Sequence, residues 1–329
     1  MTLPVLAPML ATLGPLPSDE DAWAYEIKWD GIRALAYIEA GSLRLASRGG
    51  IDITARYPEL APLAVALDGR DAILDGEIVA FDEDGMPRFE RLQRRMNVTG
   101  TLKIIALSRE VPVVLEVFDL LWLDGRPLLD RAYLERRAQL AALALDGEHW
   151  QTPRHRLGGG RELLAASREQ GLEGIIAKRP QSIYRPGRRT RDWVKVKNSS
   201  RQELVIGGWL PGEGRRAQRL GALHVGYYDP TEREREGRPV LRYAGKVGTG
   251  FSETELARLQ RLLEERAIDT SPFVGRQPPA GARFVRPELV AEIEFTEWTR
   301  DGMLRHPSYK GLRDDKAATD VIRETPGRS

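Results

Sequence analysis

Lys28 stands in the run Lys28-Trp29-Asp30-Gly31-Ile32-Arg33, and a lysine so placed can act as a covalent nucleophile if its amine is neutral. A neutral amine near pH 7 needs help, either from cations that lower its pKa or from a dry pocket. Trp23, Tyr25, Ile27 and Trp29 alternate with Glu26, Lys28 and Asp30, the period-2 pattern of a strand with one apolar and one charged face. Three charges therefore project into one place. Gly31 allows a tight turn or a close approach to a ligand, and Arg33 follows on the next segment. Four residues of Lys-x-Asp-Gly would equally describe an edge strand with a solvated face, so the remaining chain has to supply the partners.

Such partners occur downstream. Trp193, Lys195 and Lys197 share one face of a strand by alternation, so two ammonium groups can meet a phosphate together and depress the pKa of a nearby lysine. Glu77 and Glu173 are oxygen donors that could hold Mg²⁺ or Mn²⁺ between them, or serve as caps and salt-bridge partners. Phe118 lies in an apolar strand where it can pack in the core or stack on a purine. Between Lys178 and Arg201 there are nine Lys or Arg against one acid, Asp192, a basic patch that the net charge of +2 conceals. The chain has no cysteine, which removes thiol nucleophiles, disulfides and Cys-based zinc sites. His149, His155, His224 and His306 lack metal-ligand spacing, so any metal should be a hard ion on carboxylates and phosphates.

The elements that must position these residues divide near residue 200. Pro4, Pro8 and Pro15 make the lead-in extended rather than helical. Strands are predicted around Leu35 to Ile38 and Leu43 to Ala46, over Ile73 to Phe81, over Val111 to Trp122, and at Glu173 to Lys178 and Trp193 to Lys197. The second of them runs into Ser47-Arg48-Gly49-Gly50, and the third spends core positions on Asp75 and Glu77. Helices are predicted at Tyr57 to Leu67, Phe89 to Met96, Tyr133 to Leu145 and Arg161 to Gln170. Beyond Glu203, short strands (Leu204 to Leu210, Leu220 to Tyr228, Val240 to Lys246, Leu289 to Trp298) alternate with Gly/Pro turns. One helix interrupts them, opened by a capping box from Ser252 to Glu255 with Phe251 and Leu256 placed for a hydrophobic staple. Five strands and a helix suit a small barrel of the OB type. Thr231 to Arg238 reads as a solvent-facing mixed-charge hairpin loop, and no apolar run reaches the roughly 18 to 20 residues of a membrane span. The expected compartment is the cytoplasm.

Taken in order, Lys28-Trp-Asp-Gly-Ile-Arg33, Ser47-Arg-Gly-Gly50, Asp75-Gly-Glu77, Phe118-Asp119, Glu173-Gly-Ile-Ile-Ala-Lys178 and Trp193-Val-Lys-Val-Lys197 resemble the motifs of the covalent nucleotidyltransferases, and in detail those of the ATP-dependent DNA ligases. The tail Arg305 to Lys316 resembles the family's last motif in the form typical of bacterial end-joining ligases, ligase D. The resemblance covers essentially the whole chain. It implies an α+β protein: an adenylation (nucleotidyltransferase) domain of antiparallel sheets with flanking helices over residues 1–200, then an OB-fold β-barrel domain over residues 201–329.

It also implies roles. Lys28 would attack the α-phosphate of ATP, expel pyrophosphate and carry AMP as a phosphoramidate, with Asp30 a further catalytic candidate. Glu26 matches the position that reads the adenine edge, Arg33 and Arg48 those that contact the ribose and the 5′-phosphate region of nicked DNA, and Phe118 the adenine-stacking residue, with Ile175 covering the other side. Glu77 and Glu173 match the ribose-contacting and metal-proximal carboxylates, Lys195 and Lys197 the α-phosphate contacts. Arg313, Asp315 and Lys316 match the OB-domain residues that reach the departing pyrophosphate, which implies two domain arrangements with a hinge near residues 198–202. Gly49-Gly50 departs from the pattern, since many relatives have Asn before Gly.

The implied substrate is nicked or broken double-stranded DNA, the implied cofactors ATP and Mg²⁺ or Mn²⁺, and the protein is expected to be a nucleoid-associated bacterial monomer. No large extra N-terminal DNA-binding region is evident, so reliance on Ku or another end-joining protein, or membership of a longer polypeptide, is expected. An RNA ligase or capping-type guanylyltransferase would use the same lysine chemistry. A non-catalytic DNA-end-binding protein is the alternative of a different class.

Overall fold

Leu10–Leu13 (β1), Ala24–Ile27 (β2), Ile32–Glu39 (β3), Ser42–Ser47 (β4), Ala72–Val79 (β5), Val114–Leu123 (β6), Trp150–Gln151 (β7), Arg156–Leu157 (β8), Gly174–Lys178 (β9) and Arg189–Lys197 (β10) build the first part of the chain. A computed structural model describes residues 3–96, 98–198, 200–212, 219–230, 239–299 and 301–324. The chain divides into two units, one running to Asn198 and the other covering residues 200–324. The mixed-charge segment Thr231 to Arg238 lies outside the described residues.

In the first unit the described residues form two sheets. One has the order β1-β10-β9-β2-β8; the other runs β4-β3-β5-β6-β7, continued by Asp146–Gly147, with Arg126–Pro127 beside β6. Pairing is antiparallel except β1 with β10 and β6 with β7. In the second sheet alternation sorts the side chains. Ile32, Ala34, Ala36 and Ile38, with Leu74, Ile78, Leu115 and Val117, enter one apolar core shared with the helices. Leu35, Tyr37, Ile73 and Leu121 face the opposite way, into a second core with Trp193 from the first sheet and Tyr184 from the loop between β9 and β10. Arg33, Asp75, Glu77 and Glu116 take the same face as Leu35 and Ile73, so the acids met in an apolar strand are directed between the two sheets. The register shifts where Gly76 pairs Val117 but Asp75 pairs Asp119, leaving Phe118 as the extra residue of a β-bulge.

The helix predicted from Tyr57 to Leu67 does not form as one piece. Pro58 and Pro62 each remove a backbone donor, and the segment becomes 3-10 turns at Thr54–Arg56 and Pro58–Leu60 followed by a short helix, Leu63–Ala66 (α1). Its apolar residues Tyr57, Leu60, Leu63, Ala64 and Leu67 still enter the core, which is why the spacing looked helical. Phe89–Gln93 (α2) precedes Thr101–Glu110 (α3), a helix the sequence reading did not anticipate; it buries no residue and leaves Leu102 86% exposed, so no apolar stripe announces it. Tyr133–Ala142 (α4) lies along β6, and Gly160–Glu169 (α5) packs against β9 and β2.

The second unit is a six-stranded sheet in which Leu241–Val247 (β13), Leu220–Tyr228 (β12), Ser200–Pro211 (β11) and Arg283–Phe295 (β14) lie in that order, with Ser308–Arg313 (β15) and Ala267–Ile268 both on β14. The helix Glu253–Glu264 (α6) covers its core through Leu259 and Leu263. Ser252 Oγ accepts from the Glu255 amide at 3.2 Å, while the Glu255 carboxylate takes the Tyr309 hydroxyl at 2.6 Å. Only half of the reciprocal box is made. Among the described residues, no helix is long and apolar enough to cross a membrane.

Candidate active site

On the first sheet the cross-strand register assembles one chemically active face. Ile176 pairs both Glu26 and Lys195, Lys178 pairs Trp193, and Gly174 pairs Lys197. Alternation then puts Glu26, Ile176, Lys178, Trp193, Lys195 and Lys197 on the same side, above the apolar face made by Trp23, Tyr25, Ile175, Ala177 and Val196. Strand β2 ends at Ile27. The Lys28 amide still donates to Gly174 O at 2.9 Å, and from the loop beyond it the Lys28 ammonium donates to Glu173 Oε2.

Glu173 is the hub of this cluster. Its other oxygen lies 3.3 Å from Lys197 Nζ, and its side chain is 4% exposed. Burial alone would raise this carboxyl, but Lys28, Lys197 and Lys195 overcome it and hold the group down at about 2. Gly174 beside it has φ +145 and a Cβ there would sit 2.1 Å from Val196 O, so only glycine lets Glu173 turn toward the lysines. Gly31 does the corresponding work on the other sheet: a Cβ at that position would be 2.2 Å from Ile78 O and 3.0 Å from Glu77 Cγ. The loop bearing Lys28 and Asp30 thus lies directly on the strand bearing Glu77.

Arg33 is aimed rather than loose. Asp75 accepts from its Nε at 2.5 Å and its Nη2 at 2.6 Å, and Asp75 is fully buried. Among the described residues nothing bonds Nη1, and the side chain keeps 20% exposure. Burial opposes the Arg33 charge, and Asp75 outweighs it, so the guanidinium is held cationic. The ring of Phe118 has two cations at stacking range, Arg33 at 4.5 Å and Lys178 at 4.7 Å from its centroid. Arg48 lies half-buried in the turn after β4, where Ser47 O accepts from the Gly50 amide at 2.9 Å.

Two expectations need correction. Glu26 and Lys28 do not converge on one partner: Lys28 lies on Glu173, whereas Glu26 is 3% exposed on a strand paired on both sides, and its carboxylate is taken by Lys178 at 2.6 Å and by the Tyr133 hydroxyl, with Arg137 at 3.9 Å. Burial would raise Glu26, and Lys178 and Arg137 hold it down instead. Any adenine edge read here meets a carboxylate already surrounded by protein donors. Ile175, assigned to the base-covering position, points the wrong way: it is fully buried in the apolar layer under α5, and Ile176, half-buried between Glu26 and Lys195, lines the site. Counting two residues per strand repeat from Glu26 through its cross-strand partner would have found it.

The basic patch is smaller than the residue count suggested. Lys178 is 1% and Lys195 9% exposed, whereas Arg179, Arg185, Arg188, Arg189 and Arg191 face solvent. Lys178 sits among rings, 4.3 Å from the Trp193 centroid and 4.9 Å from that of Tyr133, and burial pulls its ammonium down against Glu26 and Asp119. Sequence reasoning gave no role to Tyr133, Arg136 or Tyr184, each of which touches an acid distant along the chain.

Arg313, Asp315 and Lys316 belong to the second unit and form a cluster of their own. Arg313 donates to Asp315 at 2.9 Å through both Nε and Nη2, and to Glu292 Oε2 at 2.8 Å through Nη1. Lys316 Nζ reaches Glu203 Oε2 at 3.3 Å, and Glu203 and Glu292 face each other across β11 and β14. Burial opposes the Arg313 charge, and Asp315 and Glu292 more than restore it.

Comparison with known proteins agrees with this geometry. Residues 8–197 match the family model of the ATP dependent DNA ligase domain, and residues 216–316 that of the ATP dependent DNA ligase C terminal region. The chain is 43% identical over 323 residues to the multifunctional non-homologous end joining DNA repair protein LigD of Mycobacterium tuberculosis, covering 97% of this chain and 40% of that protein. It is 39% identical over 328 residues to the Pseudomonas aeruginosa LigD, again spanning 37% of the relative's length. A solved mycobacterial DNA ligase D complexed with ATP and MES superposes with a TM-score of 0.67 at 42% identity, covering 97% of this chain and 98% of that one.

Proposed function

The chain belongs to the ATP-dependent DNA ligase family, and from that membership we propose that it seals 5′-phosphate/3′-hydroxyl nicks or breaks in double-stranded DNA through AMP carried on Lys28. The observation that carries this reading is the placement of Lys28, Lys195 and Lys197 around the single buried carboxylate of Glu173. Lys28, Lys197 and Lys195 keep Glu173 ionised, and it orients the Lys28 amine until phosphate oxygens take over the neighbouring cations. Lys195 and Lys197 then meet the α-phosphate, Arg33 presents Nη1 to the sugar or the 5′-phosphate, and Phe118 and Ile176 flank the adenine. Asp30, Arg48 and Glu77 complete the set around the Lys28 loop and the ribose.

Residues 1–200 act in this reading as the adenylation domain and residues 201–329 as the OB domain, whose Arg313, Asp315 and Lys316 stabilise the leaving pyrophosphate. Three steps follow: adenylation of Lys28, transfer of AMP to a 5′-phosphate, and attack by the 3′-hydroxyl with loss of AMP.

Among the described residues no group of three or more His, Asp or Glu could hold a metal. Mg²⁺ or Mn²⁺ needs no such cage, because one or two carboxylates plus phosphate oxygens suffice, and the ionised Glu173 with Glu77 suits that role. Bound there, the ion would neutralise charge on the transferring phosphorus. The non-homologous end joining role of its bacterial relatives favours broken DNA ends as substrate; we propose in addition that the chain works at the nucleoid as a monomer, with Ku or another end-joining protein as partner.

The test is incubation with α-labelled ATP and either metal, then a chase with nicked DNA. A labelled protein band that discharges into sealed DNA is expected, with no band from GTP. A GTP-derived band would favour a capping-type enzyme, and no band from either nucleotide a DNA-end-binding protein.

A further inference from the structure

Asp75, which fixes Arg33, is itself held from the loop between β9 and β10. The Tyr184 hydroxyl donates to Asp75 Oδ2 at 2.7 Å and accepts from the Met9 amide at 2.8 Å. Arg33 Nη2 reaches Met9 O at 3.5 Å, so Tyr184, Asp75, Arg33 and Met9 close a ring of hydrogen bonds. Tyr184 and Met9 are 2% and 0% exposed, and Asp75 and Arg33 lie 109 and 151 residues from Tyr184 along the chain. The same loop is stitched to the lead-in at three further points: Gly187 N to Ala7 O at 3.0 Å, Leu10 N to Arg188 O at 2.9 Å, and Arg185 N to Met9 Sδ at 3.3 Å. Solvent-facing Arg185, Arg188 and Arg189 sit on this segment.

A buried tyrosine costs hydration unless its hydroxyl is used, and here both its donor and its acceptor capacity are used on one acid and one amide. Phenylalanine would fill the same volume. The hydroxyl therefore adds nothing to packing that a ring alone lacks; it adds direction to Asp75. A carboxylate that must accept two parallel Arg33 bonds is steered by its third donor, and a small rotation of Asp75 swings the outward Nη1 at the end of the fork.

We propose that Tyr184 is a positioning residue for AMP transfer, tying the aim of Arg33 to the basic loop so that DNA held by Arg185, Arg188 and Arg189 meets a guanidinium already directed at the nick. This rests on the reading of Arg33 as a contact to the nicked strand. Charge alone would bind DNA without this ring; the ring makes binding and aiming one event, because the cations and the tyrosine share a short segment anchored at Met9.

The experiment uses the full chain, adenylated with ATP, and a nicked duplex at saturating concentration in single turnover. Tyr184→Phe should slow AMP transfer about tenfold, while adduct formation from ATP and nick affinity stay near parental; the thermal midpoint falls modestly, because the buried Met9 amide loses its acceptor. Arg33→Ala should slow the same step further, and Tyr184→Phe should add less than about twofold in the Arg33→Ala background, since both changes act through one group. Asp75→Asn, which keeps shape and weakens the same bonds, must slow AMP transfer at least as much as Tyr184→Phe. A parental transfer rate in Tyr184→Phe, or an equal loss with and without Arg33, overturns the linkage. A parental rate in Arg33→Ala overturns instead the reading of Arg33 on which the linkage rests.

Discussion

Two charged clusters, one in each unit, are built on opposite balances. Around Glu173 three lysines share one carboxylate, whereas around Arg313 two cations, Arg313 and Lys316, face three acids, Asp315, Glu292 and Glu203. The first sets Lys28 and Lys197 directly on Glu173, with the charge of Lys195 also acting on it, so an incoming phosphate meets several cations together. The second is already neutralised by protein, with Arg313 part-buried and engaged on three of its donors. Lysines gather on one acid in the first cluster, whereas cations and acids are interleaved in the second. The difference lies in the acids across the strand, which the motif does not contain.

Changing Glu173 to Gln should break the first cluster most severely. The lysines lose their common anchor and repel one another, so adduct formation from ATP should fall by about a thousandfold or more, measured as labelled protein per minute. Loss below tenfold would show that the lysines are organised by something other than Glu173.

In the second cluster, changing Asp315 and Lys316 together to Ala should lower adduct formation about a hundredfold and spare joining of a pre-adenylated nick, because only the first step releases pyrophosphate. Equal losses in both assays would make the cluster a support of the OB unit and erase the functional half of the comparison.

These contrasts mark what could be seen in the chain and what could not. Strand parity was legible, and it placed Trp193, Lys195 and Lys197 on a common face. Ile175 is placed by motif resemblance alone; the positive φ of Gly174 resets the alternation after Glu173, so that Ile176 and not Ile175 shares the face of Glu26 and Lys195. The apolar run through Val117 and Leu121 showed a buried strand but not the bulge that frees Phe118. Asp75 stood out as a carboxylate in a core strand, yet its partners Arg33 and Tyr184 lie 42 and 109 residues away, and nothing local selects them. The helix over Thr101–Glu110 escaped notice since it buries nothing, and the helix at Tyr57 was over-read because core contacts can recur at helical spacing through turns broken by proline.

Outside both clusters, the exposed loop that leads into β10, with the first residues of that strand, gives a graded effect. Neutralising Arg188, Arg189 and Arg191 should weaken nick binding and reduce the salt slope by about one for each lost phosphate contact. An unchanged slope in the triple variant would remove this loop from the DNA surface.

The smallest effect concerns an acid with no cation of its own. Glu116 is fully buried, pairs Glu77 across β5 and β6, and accepts from Gln151 Nε2 at 2.6 Å. Burial lifts its carboxyl to about 7 despite that bond. The folded state therefore keeps a proton that the unfolded chain releases near the ordinary carboxylate pKa, so this group costs stability progressively as pH rises through that window and fully above 7. Glu116→Gln should come close to the parent in unfolding free energy at pH 5 and exceed it at pH 8, by a difference on the order of 2 kcal/mol, read from denaturant titrations. A variant equally or less stable at pH 8 would mean that the acid is ionised in a polar setting after all.

Lys28 is the proposed nucleophile, the one residue on which AMP is carried. Lys28→Ala, given ATP and nicked DNA, should form no labelled protein and seal no ordinary nick, yet should join a nick that already carries 5′-AMP, since the amine serves only the first two steps. A labelled adduct of parental intensity in Lys28→Ala would contradict that assignment.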